Sequence, residues 1–110
     1  MSEREEARFA ELESLAERYA AAQAMADHLG EFRKSKKALL MKDAEVNGHK
    51  TAAIQEREAY ANSEYVELLK GLKTATEQAL SAKWKLEIAK MRFEWARTKA
   101  ANRRAEMNLR

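Results

Sequence analysis

The chain of 110 residues contains no cysteine and no proline, and only three glycines. Without cysteine there is no disulfide framework and no thiolate chemistry, which suits a reducing compartment. Without proline, nothing in the chain removes a helical N–H or forces a kink. No apolar run approaches the roughly 20 residues needed to cross a bilayer. The opening residues, Met1-Ser2-Glu3-Arg4-Glu5-Glu6, are charged where a secretory signal is apolar. The expectation is a soluble, cytoplasmic protein without a membrane segment.

The chemistry of catalysis is equally sparse. The two histidines, His28 and His49, fall about 30 Å apart in the arrangement derived below, too far for a shared metal site. Glu56 and Glu58 point to different sides of a helix and make a poor acid/base pair. There is no phosphate-binding glycine loop, no zinc spacing and no nucleophile elbow. Tyr60 and Tyr65 are expected to pack at a bend. No enzyme activity, cofactor, metal or small-molecule substrate is expected.

What the chain has in abundance is helical period. Tyr65, Leu68, Leu72, Ala75, Ala79, Ala82, Leu86, Ala89, Phe93, Ala96, Ala100 and Met107 keep 3-4 spacing, interrupted only by Arg103. That period belongs to a helix with a coiled-coil-like seam, which must find a partner. The six seam alanines allow close helix approach but reduce the area buried per turn. Upstream, Ser2 and Glu5 form a capping box. Phe9, Leu12, Leu15/Ala16, Tyr19, Ala22, Ala26 and Leu29 continue at helical spacing, and Phe32, Ala38, Leu39 and Met41 resume it beyond Gly30. Gly30 costs about 1 kcal/mol in a helix interior and is the candidate kink. Asn47-Gly48 is the stop, with glycine at a left-handed C′ position. Thr51 caps a short segment and Asn62-Ser63 caps the last helix.

The spacing predicts one all-α domain over 1–110, with helices at about 3–46, 52–61 and 63–107. Two long antiparallel helices form a hairpin with the short helix at the bend, and the hairpin assembles into a coiled-coil or four-helix-type oligomer. Opposed residue numbers should then sum to about 110.

Charge is segregated. Net charge is −4 over residues 1–30, +3 over 31–50, −2 over 51–65 and +6 over 66–110. With Tyr65 at heptad position a, the e positions include Lys83, Lys90, Arg97 and Arg104, and the g positions include Lys85, Arg92 and Lys99. Acidic residues of the first helix are their expected complement, with Glu17, Glu13 and Glu6 opposite Phe93, Arg97 and Arg104. Exposed pairs of this kind contribute about 0–1 kcal/mol each but bias register. Arg97, Arg103 and Arg104 are otherwise candidates for nucleic-acid contact. A second basic cluster, Arg33, Lys34, Lys36 and Lys37 with Lys70 and Lys73 set opposite Leu40 and Lys37, is the principal candidate phosphate-binding surface. It includes nearby Lys42, and Glu31, Asp43, Glu45, Glu67 and Glu77 dilute it. A solvated helix face or an acidic protein partner would use the same residues. The acid-rich polar face of the first helix argues against an anionic membrane surface.

Leu80, Trp84, Ile88, Met91 and Trp95 form a further row at 4-4-3-4 spacing, on positions b, c and f and so away from the seam. The short helix, about 17 Å long, cannot reach a row extending roughly 48 Å from the bend. Such a patch on a small chain marks an interface, and a dimer or tetramer is expected to bury it. A bent hairpin that folds these residues into one core is the alternative.

Tyr65-Val66-Glu67-Leu68-Leu69-Lys70-Gly71-Leu72, Arg92-Phe93-Glu94-Trp95-Ala96-Arg97-Thr98 and Arg103-Arg104-Ala105-Glu106-Met107 give residues 48–109 a resemblance to small all-helical proteins encoded by bacteriophages and prophages. That resemblance implies a non-catalytic accessory role on DNA or on a recombination or replication protein. The length and hairpin also resemble secreted helical hairpins of the WxG type, but Asn47-Gly48-His49-Lys50 stands where Trp-x-Gly would lie. The rival expectation is a protein–protein adaptor or structural coiled coil without affinity for nucleic acid.

Overall fold

Helix formation starts at the Ser2 hydroxyl, which accepts the Glu5 backbone N–H at 3.2 Å, with Glu3, Glu5 and Glu6 placed favourably at the positive end of the helix. The computed structural model describes residues 2–109, and these are all-α: α1 (Glu3–Val46), α2 (Ala52–Ala61) and α3 (Ser63–Leu109). The architecture is of the helical-hairpin, coiled-coil type. α1 runs through Gly30 as one continuous helix.

The reversal is closed by backbone geometry. Gly48 has a φ of +102°, a conformation that costs a side-chain-bearing residue and suits glycine. His49 N–H donates to the Ala44 carbonyl at 3.0 Å and Gly48 N–H to that of Glu45 at 3.1 Å. This is the Schellman pattern, and it satisfies carbonyls that the end of α1 would otherwise leave open. Thr51 then caps α2 by accepting the Ile54 N–H at 3.2 Å, while Gln55 Nε2 donates to the His49 carbonyl at 2.9 Å. One extended residue, Asn62 (φ −67°, ψ 132°), separates α2 from α3. Its Oδ1 accepts the Glu64 N–H at 2.8 Å and so starts the last helix.

Two compact units result. In the one spanning Ala21–Ala79, Ala26 packs on Ala75 and Ala79, flanked by Ala22 and Leu29. Leu40 packs on Ala59 and Tyr65, flanked by Met41. Tyr65 is only 2% exposed, and Tyr60 meets its ring edge-on at 5.4 Å, a favourable aromatic geometry. In the other unit, formed by the chain up to Ala20 and from Leu80 onward, Leu86 and Phe93 are buried. Phe9 lies against Phe93 with ring centroids 4.7 Å apart.

The α3 seam is buried or half-buried from Tyr65 to Ala96, as its period requires, but Ala100 and Met107 are exposed. The reason is register. Phe9, rather than Glu17, lies against Phe93, a shift of eight residues from the expected pairing. The chain reverses within Asn47–Thr51, and α2 already returns beside α1, with Ala59 on Leu40 and Glu56 on Lys37. The expected pairing places α2 at the bend itself. With this offset α1 begins beside residues near Ala100, since Ser2, Lys99, Ala100 and Arg103 line one groove, and the last turns of α3 run past it. Beyond Gly30 the inward side of α1 also differs from expectation. Phe32, Ala38 and Leu39 are exposed, whereas Arg33, Lys36 and Lys37 are half-buried and Leu40 and Ala44 are buried. The aliphatic stems of these long cations cover apolar surface while their charges remain in water.

Leu40→Ala should lower stability by about 2–5 kcal/mol in urea denaturation, as expected for a truncated core leucine. Gly48→Ala should cost about 1–2 kcal/mol, from backbone strain alone, because a Cβ there meets nothing within 4 Å.

Candidate functional site

Two surfaces on the described residues can carry recognition, and both follow from which side of each helix is turned outward. Leu80, Trp84, Ile88, Met91 and Trp95 are all exposed, from 43% for Ile88 to 65% for Trp95. At 100° per residue they lie on the side of α3 opposite the buried Leu86 and Phe93. The Lys99 ammonium sits over the Trp95 ring at 4.5 Å, a cation–π contact that partly shields the indole. Between Trp95 and the seam lies a groove of about 460 Å3, lined among others by Arg8, Glu11, Leu12, Arg92 and Phe93.

The basic stretch of α1 is distributed over several local neighbourhoods. Lys34 pairs with Glu31 and Lys70 with Glu67, each at 3.2 Å within one helix. Lys36 reaches Glu64 at 3.0 Å and Lys37 reaches Glu56 at 3.2 Å. Among the described residues these last two are the ion pairs that bridge α1 to the return arm. Residues of the +3 stretch are therefore bound by acids of the −2 stretch that follows it. Lys70 and Lys73 are not brought beside Leu40 and Lys37, because Ala59 and Tyr65 pack on Leu40 and Glu56 pairs with Lys37. Arg33 and Lys73 have no carboxylate within 4 Å among the described residues, nor do Lys42, Arg103 and Arg104.

The complementary charges of the outer helix ends also meet differently from expectation. Glu17, Glu13 and Glu6 do not face Phe93, Arg97 and Arg104. Glu5 instead shares a groove with Arg97 and Arg104, and Arg97 stacks over Phe93 at 5.8 Å.

The Lys37 ammonium is held above its ordinary pKa. The Tyr60 side chain, then the Glu56 carboxylate, favour the charged form and raise it. Its Nζ also lies 4.7 Å from the Tyr60 ring centre. His28 and Phe32 stack at 6.3 Å. Among the described residues no group of three or more His, Cys, Asp or Glu side chains could hold a metal ion. No helix among them is long and apolar enough to cross a membrane.

One row was missed in the sequence. Met25, Phe32, Leu39 and Val46, seven residues apart, are all exposed on α1. Their sevenfold spacing was the available signal, but Phe32 and Leu39 read as core because apolar character does not tell which face turns inward. Comparison of the chain with protein-family models, with curated proteins and with solved structures finds no match.

Two measurements test this geometry. Phe93→Ala should cost about 3–5 kcal/mol of monomer stability, whereas Trp84→Ala should stay within about 0.5 kcal/mol, as for a surface position. A raised lysine pKa stabilises the fold below its ordinary value, and that contribution is lost as pH rises through the raised one. Lys37→Met should therefore show a shallower fall in melting temperature than the parent above about pH 10.5.

Proposed function

We propose that this chain is a non-catalytic helical interaction module that associates through the outer face of α3. The observation that carries this reading is the exposure, in one row, of two tryptophans with Leu80, Ile88 and Met91. Their burial would contribute roughly 1.5–3 kcal/mol per large side chain before ordering costs, and such rows on small chains serve as interfaces. Indole anchors also dominate binding energy where interfaces have been dissected. Trp84→Ala combined with Trp95→Ala should hold the protein monomeric in sedimentation velocity, with helicity and melting temperature of the monomer retained. Association undiminished in that double variant would remove the face from consideration.

A second reading, an accessory of the phage type acting on DNA or on a DNA-processing protein, is favoured by cations that have no carboxylate within 4 Å among the described residues, Arg33, Lys42, Lys73, Arg103 and Arg104 among them. Contact would be electrostatic and largely independent of base sequence. Fluorescence anisotropy of labelled single- and double-stranded DNA across a salt series separates the readings. Sub-micromolar binding that weakens steeply with salt supports the DNA accessory. No binding at about 50 mM salt leaves the adaptor.

A further inference from the structure

The outer face of α3 carries its own heptad frame, distinct from the one that faces α1. Ser81, Ile88, Trp95 and Asn102 fall at one core position, a, and Trp84, Met91 and Thr98 at the other, d. The flank that follows d is Lys85, Arg92 and Lys99. The flank that precedes a is Leu80, Glu87 and Glu94. One side of the row is therefore wholly basic and the other is acidic beyond Leu80.

We infer that the occupant of this face is a second copy of the same chain, with the two α3 helices parallel and in register between Ser81 and Asn102. The inference rests on the association proposed above and adds its partner and its polarity. A two-fold axis running along the helices brings the acidic flank of one copy against the basic flank of the other. In the parallel coiled-coil pattern a g residue meets the e residue five positions on. Glu87 of one copy then faces Arg92 of the other, Glu94 faces Lys99, and both pairs occur twice. Leu80 faces the aliphatic stem of Lys85. An axis perpendicular to the helices instead sets each flank against itself. Lys85 and Arg92 would confront their own kind, as would Glu87 and Glu94, so the antiparallel dimer is disfavoured by the same charges.

Asn102 supports the same choice. A single asparagine at an a position selects register and two-strandedness, because its amide finds its partner only on the facing copy. The flank residues are available for this. Arg92, Glu94 and Lys99 are exposed, and Lys90 engages only one carboxylate oxygen of Glu87, at 3.2 Å. Lys99 already lies over Trp95, so its stem shields the indole at the rim of the same interface.

The test uses the absence of native cysteine. Thr98→Cys in the full chain, equilibrated in a glutathione redox buffer, should give a disulfide-linked dimer in high yield. In an antiparallel dimer centred on Ile88 the two introduced thiols would be about 30 Å apart and could not join. Alongside it, Glu94→Lys and Lys99→Glu should each weaken dimerisation by about tenfold, since two symmetry-related pairs become repulsive. The double exchange Glu94→Lys/Lys99→Glu should restore it. A dimer by sedimentation that forms no Thr98→Cys link, with no rescue in the double exchange, overturns the parallel arrangement while leaving self-association standing. A wild-type chain that stays monomeric to about 100 µM overturns the association itself.

Discussion

The reversal at Asn47–Thr51 is the constraint on which the contacts of the unit spanning Ala21–Ala79 depend. Gly48 supplies a left-handed residue, and the two Schellman hydrogen bonds fix where α1 ends. α2 then has to run back beside α1, because Thr51 caps it at once. Within the unit spanning Ala21–Ala79, each later pairing inherits that starting point: Leu40 with Ala59 and Tyr65, then Ala26 with Ala75 and Ala79. A helix is stiff along its axis, so a turn that closed two turns later would displace both of these pairings by the same offset.

Electrostatics follow register. Once α2 lies along α1, Glu56 and Glu64 come within reach of Lys37 and Lys36. These carboxylates reduce the positive field that the α1 lysines would otherwise present. The half-buried stems of Lys36 and Lys37 complete the inner surface beside Leu40, and Tyr60 holds the Lys37 ammonium in place. These lysines therefore contribute to packing as well as to charge, and neutralising them would disturb the fold near the turn. This separates them from Arg103 and Arg104, which lie on the exposed last turns of α3.

The helices themselves were legible because their signals are local. The Ser2 cap, the Asn47-Gly48 stop, the Thr51 cap and an unbroken 3-4 stripe each act over a turn or two, and the seam from Tyr65 to Ala96 is inward as its spacing demands. Register was not legible, because it depends on whether ten residues of α2 belong to the bend or to the return arm. The inner side of α1 beyond Gly30 was hidden for a different reason. Phe32 and Leu39 are more apolar than Arg33 and Lys36, yet they point outward, and hydropathy cannot rank a lysine stem against an exposed aromatic ring. The outer row from Leu80 to Trp95 was readable as a face because it lies off the seam, although nothing local names its partner.

α3 presents two apolar sides, and its composition is divided between them. The side toward α1 uses Ala75, Ala79, Ala82, Ala89 and Ala96 between Tyr65, Leu86 and Phe93. Small residues there let the backbones approach, but they bury little area per turn. The opposite side holds both tryptophans of the chain, together with Ile88 and Met91. A single hairpin leaves that larger apolar surface in water, so the side chains with most to gain from burial lie where the monomer cannot bury them. Oppositely charged flanks along the same row then make direction matter. Apolar area alone would tolerate either polarity of association, whereas Glu87 and Glu94 on one edge with Lys85, Arg92 and Lys99 on the other favour one.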